Sequence, residues 1–179
     1  MQKLLFIDRD GVINVDLIGD YIKSPREFRF EEGVLTTLKA LSDRGYQLII
    51  ISNQAGVGDG VFTEAALQEV HQHMLAQFKR HGIKIHATHY CLHGKEDGCS
   101  CRKPEIGLFQ KAVEGLKYDP KATYFIGDKA TDMEAGRRFG ILTLFVRTGH
   151  GPQDEAKLKG KLKPDFIVDR LPDVLSILP

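Results

Sequence analysis

The stretch LLFIDRDGVIN, Leu4 to Asn14, decides the fold. Leu4 to Ile7 are apolar without alternation, and the run stops at Asp8-Arg9-Asp10-Gly11. An unbroken apolar run of this kind reads as a strand buried on both faces, which belongs in a parallel sheet covered by helices. Two carboxylates, Asp8 and Asp10, follow at i and i+2, and Gly11 turns the chain. Like charges this close repel, so the pair is costly unless a cation sits between them. A hard, oxygen-seeking ion such as Mg²⁺ fits; a plain Asp- and Gly-rich surface turn is the alternative.

The same alternation continues outward. Tyr46–Ser52 (YQLIIIS), Ala87–Cys91, Thr123–Asp128 and Thr143–Val146 read as further strands, with Asp165–Asp169 as a sixth. Between them Val34, Leu35, Leu38 and Leu41 recur at helical spacing, and Gly45 follows as a stop. Thr63 reads as the N-cap of a helix to about Arg80, and Pro104 as the first-turn proline of one to about Leu116. A further helix runs from about Lys129 to Phe139 and ends at Gly140. Strands alternating with helices predict an α/β domain over residues 1–179: a Rossmann-like, mostly parallel central sheet with helices on both faces. The segment between the first two strands is short, so no large cap domain is expected.

In such sheets ligands bind beyond the carboxyl ends of the strands. The polar residues there are Asp8 and Asp10, then Ser52-Asn53-Gln54, then Asp128-Lys129, with Arg102-Lys103 just before a helix start. A phosphoryl group in transfer spreads charge over three oxygens, and lysines such as Lys103 and Lys129 stabilise it. The Ser52 hydroxyl and the N–H groups beyond it suit the same oxygens, and Asp128 is a third carboxylate for a metal. Asp132 either orients Lys129 or the metal's water shell, or caps its helix.

Cys91, His93, Cys99 and Cys101 form a C-x-H-x5-C-x-C set, a closed tetrahedral donor group for structural Zn²⁺ in a small loop, 91–101. The intervening GKEDG has no apolar residue to order it, so metal would supply the order. The Lys- and Gly-rich tail from Gly149 to Lys163 reads as a mobile loop without a function.

Lys and Arg (25) nearly cancel Asp and Glu (24), which argues against nucleic-acid or membrane attraction. The first apolar run is too short for a signal peptide or a membrane span. Three clustered cysteines without a secretion signal point to metal in a reducing, cytoplasmic setting rather than to disulfides. A nucleotide-binding dehydrogenase would need G-x-G-x-x-G after the first strand, where DRDGVIN stands instead. A catalytically idle zinc-bearing module is disfavoured because Asp8, Asp10 and both lysines are present.

Taken together, DRDG, SNQ, a lysine before a helix and GDK-x-x-D resemble the haloacid dehalogenase (HAD) superfamily. The CxH…CxCRKP segment resembles its zinc-bearing branch, which holds phosphatases of heptose 1,7-bisphosphate and of histidinol phosphate. The resemblance implies that Asp8 is a nucleophile forming an aspartyl-phosphate and that Asp10 is the general acid and then base. It implies that Asp8, Asp128 and the Asp10 carbonyl hold Mg²⁺, and that Ser52 and Lys103 hold the phosphoryl oxygens. Arg102 and Lys129 are implied as substrate contacts, and Asp10 as a group helped by a raised pKa. Asp16 and Tyr21, spaced as D-x4-Y, resemble the heptose enzymes; with Asn53 and Gln54 they complete the expected substrate contacts. Substrate choice would then lie in the loops 16–29, 55–62 and 91–101. The expected partner is a small sugar phosphate, taken by a monomer in activated-heptose biosynthesis, with histidinol phosphate as the alternative. Asp59 stands near a place where heptose phosphatases usually carry arginine.

Overall fold

The computed structural model describes residues 1–179. Its strands are β1 (Lys3–Ile7), β2 (Tyr46–Asn53), β3 (Ile85–Cys91), β4 (Tyr124–Gly127), β5 (Leu142–Val146) and β6 (Phe166–Val168). They form one sheet, every pairing parallel, in the order β3-β2-β1-β4-β5-β6. The helices are α1 (Val34–Asp43), α2 (Ala55–Gly58), α3 (Glu64–Arg80), α4 (Gly107–Ala112), α5 (Ala130–Phe139) and α6 (Gly151–Asp154). The strand order reverses at β1, whose Leu5 sits between Leu48 of β2 and Tyr124 of β4. A reversal of this kind leaves a crevice at the carboxyl ends of the strands, and the polar residues lie there.

Side chains alternate across the pleat. Leu5, Ile7, Leu48, Ile50 and Ile126 join Leu38, Leu41, Val70, Met74 and Phe78 in one core layer, under α1 and α3. Leu4, Phe6, Ile49, Ile51 and Phe125 face the other way, onto Leu108, Phe109, Ala112 and Ala135 of α4 and α5. Each of the Leu, Ile, Val, Met and Phe side chains among these contributes about 1.5–3 kcal/mol by leaving water. The runs at Leu4–Ile7 and Leu48–Ile51 are unbroken because both faces of the sheet are covered.

The ends of the helices follow from their residues. Thr63 Oγ1 accepts from the Ala66 N–H and starts α3. Gly45 (φ 86°) and Gly140 (φ 82°) turn the chain after α1 and α5 in the left-handed region open to glycine. Two expectations change. The helix expected from Pro104 to Leu116 is only Gly107–Ala112. Residues before it form a turn in which Glu105 N–H donates to Arg102 O and Gly107 N–H to Ser100 O. The chain takes up its helical path only after this turn, and Lys103, which lies on the turn, is buried. The tail from Gly149 to Lys163 is not a free loop. Asp154 is buried there and its carboxylate accepts from the Ala130 N–H at 2.8 Å, fixing the tail to the start of α5. Arg147 forks onto Glu155 at 2.8 and 2.7 Å. No helix is long and apolar enough to cross a membrane.

Candidate active site

Asp8 leaves β1 with its N–H on Ile126 O, which ties the first strand end to β4. Its Oδ1 accepts from Arg9 N–H at 2.8 Å and lies 2.9 Å from Lys103 Nζ. Lys103 is buried, pairs with Asp132 Oδ1 at 2.7 Å and donates to Ile51 O at 3.1 Å. Burial alone would lower the Lys103 pKa, but the Asp132 and Asp8 charges raise it, so the ammonium is fixed. Asn53, expected at the substrate, grips the lysine's backbone. Its Nδ2 donates to Lys103 O at 3.1 Å, and its Oδ1 accepts from Lys103 N–H at 3.0 Å. It also lines the cleft.

Asp8, Asp128 and Asp132 bring carboxylate oxygens within 4.8 Å of one another. Asp128 Oδ2 accepts from His150 N–H at 2.7 Å, while Oδ1 is buried without a partner. Burial raises the Asp128 pKa well above the carboxylate range; Lys129 opposes this, and the Asp132 and Asp8 charges add to it. A buried cluster of acids with an orphaned oxygen suits a hard divalent cation. Asp132 takes the capping reading, with Oδ2 accepting from Lys129 N–H at the start of α5, while Oδ1 pairs with the ammonium of Lys103 rather than that of Lys129.

Asp10 is the other carboxylate of DRDG, and its oxygens are taken up by partners outside that trio. Arg9 Nη2 donates at 2.8 and 2.9 Å, Asn14 Nδ2 at 3.0 Å and Gln54 Nε2 at 2.7 Å. Burial pushes its pKa up, but the Arg9 charge and these donors outweigh it and leave it below the usual value. The shift is opposite to the raised value expected of a general acid, because buried Arg9 folds back onto the carboxylate. Gln54, read as a substrate contact, is buried and divides its amide among Asp10, Arg9 and Ser52 Oγ.

Ser52, Asp8, Asp10, Asn53, Lys103, Lys129, Thr131 and Asp132 line a small recess without an apolar residue. Beyond it a cleft of about 540 Å³ reaches Asp16, Tyr21, Lys95, Arg102 and His150. Asp16 lies 3.1 Å from His150 Nε2 and 3.4 Å from Lys129 Nζ. Tyr21 packs on Phe62, ring centroids 5.4 Å apart. His150, Thr131 and Lys95 escaped the reading of the sequence; none has a motif, and each reaches the cleft only through the fold. A separate apolar groove at Leu75, Phe78 and Ile83–Ile85 lies at the amino end of β3, away from these groups.

The four thiol and imidazole residues also converge. Sγ–Sγ separations among Cys91, Cys99 and Cys101 are 3.2–3.6 Å, and His93 Nδ1 lies 3.2 and 3.7 Å from Cys101 and Cys91. Ligands about 2.3 Å from a tetrahedral ion stand about 3.7 Å apart, so the cluster fits one. Burial pushes the Cys91 thiol up to about 12. Burial opposes ionisation of Cys99 as well, yet the N–H groups of Cys101 and Arg102 bring it down to about 7.

A parallel sheet reversing at β1, with a DRDG carboxylate pair and a buried lysine at that point, defines a phosphatase of the HAD class. A HAD-hydrolase-like family model matches residues 100–174. The chain is 36% identical to the D-glycero-β-D-manno-heptose-1,7-bisphosphate 7-phosphatase of Haemophilus ducreyi, over 97% of this chain and 98% of that one. It is 41% identical to a probable enzyme of the same name from Thermoplasma volcanium, over 78% of this chain and 95% of that one. A crystal structure of D,D-heptose 1,7-bisphosphate phosphatase from B. bronchiseptica, complexed with magnesium and phosphate, superposes with TM-score 0.92. Its identity is 30%, over 99% of this chain and 98% of that one. The chain belongs to the D-glycero-D-manno-heptose-1,7-bisphosphate 7-phosphatase family.

Proposed function

We propose that the protein hydrolyses the 7-phosphate of D-glycero-D-manno-heptose 1,7-bisphosphate through an aspartyl-phosphate on Asp8. The observation that carries this reading is Asp8 itself. It lies at the sheet's reversal, with the Lys103 ammonium at 2.9 Å and two buried acids, Asp128 and Asp132, close by. A carboxylate attacks a phosphate dianion only where charge is neutralised. Asp8 and Asp128, with the Asp10 carbonyl, would hold Mg²⁺, which supplies that neutralisation beside the lysine. Asp8 attacks phosphorus, and Lys103 and Ser52 hold the phosphoryl oxygens that gather charge. Asp10 donates a proton to the leaving oxygen and then takes one from the water that splits the phosphoaspartate. Its lowered pKa suits the second half, in which it must be ionised. Lys129 and His150 brace Asp16, and Asp16, Tyr21 and Arg102 contact the sugar. Cys91, His93, Cys99 and Cys101 would hold Zn²⁺ as a closed structural site.

The test is phosphate release with Mg²⁺ from the heptose 1,7-bisphosphate and from histidinol phosphate, compared as kcat/KM. A preference of 100-fold or more for the heptose, about 2.7 kcal/mol at the transition state, is the expected result. A preference for histidinol phosphate, or turnover of neither, overturns the substrate.

A further inference from the structure

We propose that Lys95 determines specificity by binding the second phosphate of a bisphosphate substrate, and that Asp59 is the positioning residue that sets its backbone. This deepens the substrate reading above and rests on it. Four cationic side chains line the cleft, Lys95, Arg102, Lys103 and Lys129, together with the imidazole of His150. Lys103 is paired with Asp8 and Asp132, and Lys129 and His150 with Asp16. Asp20, which also lines the cleft, is paired with Lys23 at 2.8 Å. Lys95 and Arg102 therefore remain as the cations of the cleft with no carboxylate partner. They stand together, since both also border an adjoining hollow on the zinc-loop side. Arg102 Nη1 is buried and unpartnered, so this wall lacks the anion that its charge calls for. A phosphate bound in the recess at Asp8 leaves this wall facing the rest of the substrate.

The root of Lys95 is fixed although its side chain is exposed. It lies between the candidate zinc ligands His93 and Cys99, and its N–H donates to Asp59 Oδ1 at 3.1 Å. The Asp97 carboxylate accepts from the neighbouring Gly94 N–H at 2.7 Å. Gly58 and Gly94 let the two segments touch. A Cβ on Gly58 would stand 2.2 Å from Gly94 N, and one on Gly94 would stand 2.4 Å from Asp59 Oδ1. Asp59 thus holds the loop of residues 91–101 from behind. The positive charge for the distal phosphate arrives on that loop, as Lys95.

The experiment measures kcat and KM for the heptose 1,7-bisphosphate and for the heptose 7-phosphate, on zinc-replete protein with Mg²⁺. The quantity read is the ratio of the two kcat/KM values. Lys95→Ala is expected to lower that ratio at least tenfold, chiefly through KM for the bisphosphate, and Lys95→Arg to restore most of it. Asp59→Ala is expected to lower it at least threefold and to add nothing in the double variant with Lys95→Ala. A ratio that moves less than threefold in Lys95→Ala overturns the proposal, as does an equal loss on both substrates. Multiplying effects of the two substitutions overturn the role of Asp59. A wild-type enzyme with no preference for the bisphosphate overturns the substrate reading as well, whereas a preference that survives Lys95→Ala overturns Lys95 alone.

Discussion

Asp128 has room in the acid cluster because two positions around it carry no side chain. A Cβ on Gly11 would stand 2.2 Å from Asp128 Oδ2, and one on Gly149 would stand 2.4 Å from the same atom. Both glycines also have positive φ, 87° and 54°, so any other residue there is strained as well as crowded. Gly11→Ala is therefore expected to displace the Asp128 carboxylate. Activity at a fixed, limiting Mg²⁺ concentration should fall at least about tenfold, and more Mg²⁺ should recover part of it. A titration of activity against Mg²⁺ with an unmoved midpoint would count against the cradle. Asp8→Asn keeps the shape and removes the carboxylate proposed to attack. Its kcat should drop by more than about 10³-fold while circular dichroism stays native. Retention of several per cent of activity would exclude Asp8 as the attacking group.

At the scale of elements, two tethers can be cut separately. Cys99→Ser, or removal of zinc by a chelator, should lower the melting temperature of the loaded protein, because the loop at Gly94–Gly98 has no apolar residue to hold it. Equal melting curves with and without zinc would refute the structural role. The second tether is Asp154 on the start of α5. Burial raises the Asp154 pKa, but Lys157 and the Ala130 N–H outweigh it and leave it below the ordinary value. A carboxyl lowered on folding adds stability above its unfolded pKa, about 4, and loses it as pH falls through the folded value. Asp154→Asn should thus be less stable than wild type at pH 7, by about 1 kcal/mol, and the gap should close towards pH 3. A pH-independent difference in denaturant midpoints would reject the ionic origin. These elements also show what was legible in the chain. The strands, α1, α3 and α5 could be read because burial on both faces and helix-end residues write themselves locally. The gathering of Asp8, Ser52 and Asp128 at one edge of the sheet could be read from the strand ends they occupy, and Lys103 was singled out from its place in CRKP. The inward commitment of Gln54, the grip of Asn53 on Lys103 and the place of His150 could not be read. Each depends on partners distant in sequence that only the closed sheet brings together. The tail misled for the same reason: its lysines suggested solvent, while one buried aspartate decided its path.

For the whole molecule, stability rests on the two apolar layers that sandwich the sheet. Phe109 is the hinge pin of the second layer, with ring centroids 5.1 Å from Phe6, 5.0 Å from Phe125 and 5.2 Å from Phe139. Phe109→Ala should cost about 3–5 kcal/mol, read as a lower denaturant midpoint. A loss below about 1 kcal/mol would mean that α4 is not part of the cooperative core. The place of β1 has a consequence for how the protein is made. Leu5 pairs with Leu48 on one side but waits for Tyr124 on the other. During synthesis the strand that carries Asp8 therefore leaves the ribosome before its β4 neighbour and stays half-zipped until residues 124–127 have followed. Its bare edge, Leu4-Leu5-Phe6-Ile7, is meanwhile a sticky template for other nascent chains. Chains truncated before β4 should accordingly aggregate through that edge rather than remain as soluble fragments, which makes this first strand the natural client segment for a chaperone.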